Sequence, residues 1–114
     1  MNLQEIKKRI LDFRDKRDWS QFHDPKNLSA AIAIEAAELQ EIFLWCKVAE
    51  SREIAVEKKE NIAEEVADIL MFVLLFAHET GIDIEQAILD KIEKNNKKYP
   101  VEKARGVSKK YNDF

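Results

Sequence analysis

Four acidic residues carry the chemistry that this chain could perform: Glu35 and Glu38 in NLSAAIAIEAAELQEIFLWC (27–46), and Glu65 and Asp68 in NIAEEVADILMFVLLFA (61–77). At about 100° per residue, Ile62, Val66, Ile69, Phe72, Val73 and Phe76 form one broad apolar stripe with Glu65 inside it, and Asp68 falls roughly 60° to one side. Glu64, about 100° from Glu65, points towards the polar side. The earlier segment repeats the device. Leu28, Ile32, Leu39, Ile42, Phe43 and Cys46 enclose Glu35, Glu38 sits at the corresponding edge, and Glu41 is about 60° further out. A carboxylate taken from water into apolar surroundings costs on the order of several kcal/mol unless it is protonated, paired or bound to a metal. If the two helices pack side by side, all four acids converge on one patch.

Two acid pairs spaced i, i+3 supply hard oxygen ligands, and Mg²⁺ suits them: it takes one or two carboxylates, keeps several waters and completes its shell with phosphate oxygens. The competing reading is that such pairs are frequent on exposed helices and only solvate them. The placement of Glu35 and Glu65 within apolar stripes brings the metal reading level with the solvated one. A ferritin-like di-metal bundle would use Glu-x-x-His, a pattern this chain lacks. Its histidines are His23 and His78, and His78 lies on the side of its helix away from Glu65. With one cysteine, a Cys/His zinc site is unavailable.

The elements that must position these acids are helical. Leu3 to about Arg17 reads as an amphipathic helix with Leu3, Ile6, Ile10 and Phe13 inward and Lys7, Lys8, Arg14 and Lys16 largely outward. DWSQFHDPK (18–26) breaks the pattern at Pro25 before a second helix begins near Asn27. In this connection Trp19 and Phe22 either stack on a nucleobase or plug the end of the bundle. The second helix is expected to run to about Lys47, with Trp45 on the same side as Glu38. Val48 to Lys59 is a charged, partly helical connection. The third helix ends at HETG, Gly81 taking the left-handed position. Asp83 caps a fourth, Ile84 to Lys98, antiparallel to the third. On its inward face Lys91, Asn95 and Tyr99 follow Ile84, Ala87 and Ile88, and Lys91 is the cation best placed by face to hold a polyphosphate. Pro100 stops this helix. The tail beyond, about 101–114, is charged, with Val107 and Tyr111 as its candidate anchors.

At 114 residues, with 46% hydrophobic and 36% charged residues, 2 Gly and 2 Pro, the composition describes one all-α domain over 1–114, an antiparallel bundle of about four helices. A net charge of −3 argues against a general binder of nucleic-acid polymers or membranes. The N-terminal stretch is too charged for a secretory leader, Ile69 to Ala77 is too short to span a bilayer, and Cys46 has no internal disulfide partner. A soluble cytoplasmic protein is expected.

RDWSQFHDPKNL (17–28), EAAELQEIFLW (35–45), EEVADIL (64–70), KIEKNNKKYP (91–100) and ARGVSKKY (104–111) together resemble the MazG-like, all-α nucleoside triphosphate pyrophosphohydrolases, especially the dCTP pyrophosphatase 1-like branch. The resemblance covers nearly the whole chain. It implies Mg²⁺-dependent cleavage between the α and β phosphates of a (deoxy)nucleoside triphosphate, dCTP or a modified dCTP among them, to the monophosphate and pyrophosphate, in nucleotide-pool cleansing. It places metal ligands at Glu35, Glu38, Glu65 and Asp68, the base and sugar pocket at Trp19 and Trp45, and polar contacts from the fourth helix at Asn95 and Lys91. It also implies tetramers built from tight dimers, with sites completed across subunits. Phe72 stands where animal members carry a Tyr that touches the ligand, and Ile10 where they carry a His, so cytosine preference is open. Within this reading Glu38 and Glu65 are the catalytic acids, Glu38 orienting or deprotonating the attacking water. Trp19, Trp45 and Phe22 enclose the base, beside Phe72. The alternatives are a non-catalytic helical module that binds nucleotide or protein, and a phosphohydrolase that releases inorganic phosphate from another metabolite.

Overall fold

The computed structural model describes residues 1–108. Among them are six α-helices: α1 (Leu3–Lys16), α2 (Pro25–Ile42), α3 (Ser51–Glu57), α4 (Lys59–Thr80), α5 (Ile84–Lys98) and α6 (Val101–Ala104), with 3₁₀ turns at Ser20–Phe22 and Val48–Glu50. The all-helical class agrees with the sequence, and two of the helices are short additions to the four expected. The chain divides into two compact units, Met1–Gly81 and a second that begins at Ile82.

In the first unit α2 runs antiparallel to α4. His23, just before α2, meets Phe72 edge-on with ring centroids 6.4 Å apart, Glu35 lies beside Glu65, and Trp45, beyond the end of α2, shares a cavity wall with Asn61 at the start of α4. Helices α1 and α3 also pack on α4. Ile10, Leu28, Leu74, Leu75 and Ala77 are the buried apolar residues.

Local chemistry sets the boundaries. Asp24 caps α2, its carboxylate accepting from the Asn27 backbone N–H at 2.8 Å. Pro25 therefore opens the helix rather than breaking it, because the first helical position needs no N–H. At the other end α2 stops at Ile42, short of the expected Lys47. The Phe43 and Leu44 backbone N–H groups fold back three residues, to the carbonyls of Gln40 at 3.0 Å and Glu41 at 3.2 Å, a tightening that ends the α-helical ladder. Trp45 accordingly sits in a turn and not on the helix. Gly81 closes α4 with φ 70, in the left-handed region where a side chain would be strained.

Two further expectations are corrected. The inward face of α1 is turned relative to the one read from its apolar residues: Ile10 and Arg14 are buried and Lys7 is half-buried, whereas Phe13 and Ile6 are exposed. The reason is an ion pair that draws Arg14 inward to Glu79 of α4. In the second unit Val101–Ala104 forms a short helix after Pro100, and Val107 is exposed. Lys109, Lys110 and Tyr111 lie outside the described residues.

Candidate active site

Helices α2 and α4 bring three acids together. One carboxylate oxygen from each of Glu35, Glu38 and Glu65 lies within 4.8 Å of the others. Glu35 and Glu65 are half-buried and Glu38 is exposed, as the wheel positions require: the first two lie within their apolar stripes and the third at an edge. Glu35 Oε2 and Glu65 Oε2 are buried and meet no donor.

Such crowding resists ionisation. Glu35 is pushed up to about 7, first by burial, then by its hydrogen bond to Glu38 and the Glu38 charge, with Glu65 and Asp68 adding to it. Glu65 is also raised, again by burial first, while the hydrogen bond from Glu35 acts in the opposite direction. Asp68, on the next turn of α4, stands outside the trio but near enough for its charge to act on Glu35. Its side chain is exposed.

Two cavities flank the acids. An open one of about 520 Å³ is lined by Glu38, Glu65 and Trp45, with Glu41, Glu64 and Asn61 completing its acidic rim. Trp45 is 92% exposed there. A more enclosed cavity of about 270 Å³ has Trp19, Phe72, Phe13 and Met71 in its wall together with Asp68, Arg14 and His23. Trp19 and Trp45 therefore belong to different cavities in one chain, and Phe22, 60% exposed, lines neither. The Trp19 ring packs edge-on against Phe13 at 5.8 Å. His23 Nδ1 is buried without a partner, and burial followed by the Arg14 charge lowers the pKa of the ring, with Glu79 opposing. The second unit, separately, carries Lys91 and Asn95 one turn apart on α5, both exposed.

Sequence reasoning passed over Arg14, His23, Glu64 and Asn61 as wall residues. Asn61 and Glu64 lie within about one turn of Glu65, whereas nothing in the sequence marked Arg14 as inward.

The donor set fits a divalent cation: three carboxylates of hard oxygen, two of them with buried, undonated atoms that an ion would satisfy. Among the described residues no helix is long and apolar enough to cross a membrane.

Comparison with known proteins agrees over most of the chain. The family model for the MazG-like family matches residues 30–114. The dCTP pyrophosphatase 1 of Rattus norvegicus is 37% identical over 114 residues, covering 98% of this chain and 67% of that protein. That of Homo sapiens is 34% identical, with 98% and 67% covered. The crystal structure of a pyrophosphatase from Archaeoglobus fulgidus superposes with a TM-score of 0.84 at 39% identity, over 86% of this chain and 92% of that one. A family match that covers most of α2, all of α4 and all three clustered acids, joined to relatives alike along nearly the whole of this chain, means that this chain belongs to the MazG-like family.

Proposed function

We propose that this chain, acting as one MazG-like domain over 1–114, is a Mg²⁺-dependent nucleoside triphosphate pyrophosphatase that takes dCTP or a modified dCTP in nucleotide-pool cleansing. The activities of its relatives, dCTP pyrophosphatase and pyrophosphatase, support the reaction class. The observation that carries the reading is the trio Glu35, Glu38 and Glu65, with two buried carboxylate oxygens lacking donors.

Glu35, Glu38, Glu65 and Asp68 would hold the ion, which when bound neutralises phosphate charge and favours the ionised form of water. Glu38, on the wall of the open cavity, takes the proton of the water that adds across the α–β anhydride, and the monophosphate and pyrophosphate leave. Glu65, beside it, holds Glu38 in position. Trp19, Phe22, Trp45 and Phe72 offer aromatic surface to the base and sugar. Lys91 serves the polyphosphate, and Asn95 is a further polar contact to the substrate.

A homo-oligomer, dimer or tetramer, accompanies this reading. It is supported by an open apolar groove of about 700 Å³ whose walls include Ala33, Ala37, Phe43, Ile62 and Val66. Cys46, free of any disulfide, suits a reducing cytoplasmic setting.

Calorimetric titration with Mg²⁺ tests the site. Glu65→Gln is expected to weaken binding roughly tenfold or more while the helical circular-dichroism spectrum persists, and undiminished affinity would contradict the assignment.

A further inference from the structure

The enclosed cavity contains a charge that the reaction does not use. Arg14 is only 7% exposed, yet it forms part of a wall that is otherwise largely apolar and aromatic. Its guanidinium is held from two sides: Nη1 donates to Glu79 Oε1 at 2.6 Å and Nε donates to Asp15 Oδ1 at 2.9 Å. The third nitrogen, Nη2, has no acceptor among the hydrogen bonds of the described residues and is not one of the buried unpartnered atoms, so it stays accessible. A guanidinium held in this way keeps one directed donor for a ligand. A purely structural tie between α1 and α4 needs only the nitrogens already engaged.

We infer that Arg14 is a specificity-determining residue that offers Nη2 to a carbonyl oxygen of the substrate's nucleobase. This inference rests on the nucleotide pyrophosphatase reading above and names the group that selects the base.

Three observations direct Nη2 to a base rather than to a phosphate. The charge of Arg14 is already balanced by Glu79 and Asp15, so little attraction remains for a polyanion, whereas a directed N–H remains available. The walls around it, Trp19, Phe13 and Phe72, are flat aromatic faces that suit a ring. Asp68 joins this cavity to the acidic cluster, so a base seated against the aromatics leaves its phosphates on the metal side. The cavity, about 270 Å³, is just under the usual range for organic ligands, a size for a base and not for a whole nucleotide. A guanidinium is donor-only. It therefore favours bases with an exocyclic carbonyl oxygen projecting from the ring, as cytosine, thymine and guanine have, over adenine, whose exocyclic group is a donor amine and whose acceptors are ring nitrogens set back from that position.

The test is kcat/KM for dCTP, dTTP, dGTP and dATP in the full chain and in Arg14→Met and Arg14→Lys, with folding followed by thermal unfolding. The native chain should prefer at least one carbonyl-bearing base over adenine. Arg14→Met should reduce that preference roughly tenfold, mainly through KM, as expected for loss of a charge-assisted hydrogen bond. Arg14→Lys, which keeps the charge but not the fixed fork, should lose part of the preference, and decides the matter if the methionine variant does not fold. A structural role would lower all four nucleotides alike. An unchanged ratio in the folded variants, or a native chain without the preference, overturns the inference alone. Failure of the native chain to hydrolyse any of the four overturns the pyrophosphatase reading, and the inference with it.

Discussion

Glu35 and Glu65 face each other across two helices with a buried oxygen apiece that no group among the described residues satisfies. This strain has a pH signature in metal-free protein. Glu35 stands at about 7 in the fold against 4.5 ordinarily. Below 4.5 the carboxyl is protonated in both states; between 4.5 and 7 the unfolded chain releases the proton that the folded chain keeps. Stability is therefore expected to fall as pH rises through that window and to level off above it. Thermal melts in chelator across the window check this, and Glu35→Gln should flatten the profile. A midpoint that rises with pH in the native chain, or a slope retained in the variant, would contradict the coupling. These two acids were legible in the sequence because they interrupt apolar stripes, and their partial burial bears out the wheel. Arg14 was not legible, because helical periodicity marks a cation as outward and cannot show that Glu79, far along the chain, draws it in.

Helices α2 and α4 do the positioning, and their ends decide where the aromatic residues fall. Asp24 caps α2 and also accepts from the Asn27 side chain at 3.1 Å, while that side chain donates to the Phe22 carbonyl at 3.2 Å. One cap thereby ties the aromatic loop to the helix that bears Glu35 and Glu38. Asp24→Ala is expected to cost about 1 kcal/mol, read in denaturant melts, and to raise KM by loosening Trp19. A full-strength KM with the cap removed would show that the loop is held by other means. At the opposite end, Trp45 lines the cavity of Glu38 and Glu65 from a turn. Trp45→Ala should raise KM more than it lowers kcat, and a fall in kcat with KM unchanged would exclude a stacking role. The existence and type of the long helices could be read from their periodicity. The early stop of α2 could not, since Phe43, Leu44 and Trp45 fit a helix locally and only the tightened last turn diverts them.

For the molecule as a whole, the apolar residues that remain exposed in the first unit matter most. Val66 and Leu70, one turn apart on α4, are exposed, as is Ile34 on α2, and an open apolar groove runs past Val66. Single exposed apolar residues are ordinary, but an apolar groove shared by the two helices that carry the acids, with Ala33, Ala37, Ile62 and Val66 in its walls, suits subunit contact. By light scattering the native chain should have the mass of a dimer or tetramer, and Val66→Glu should lower it. An unchanged mass would exclude this face. The helical class was legible from composition together with the helical spacing of the apolar residues, whereas which apolar face meets the core and which a partner depends on packing that no single sequence states. The central claim is tested most directly by incubating the purified chain with canonical and modified nucleoside triphosphates, with and without Mg²⁺, and separating the products. The account predicts nucleoside monophosphate and pyrophosphate, only with metal. Inorganic phosphate as the product, or no turnover of any triphosphate, would contradict it.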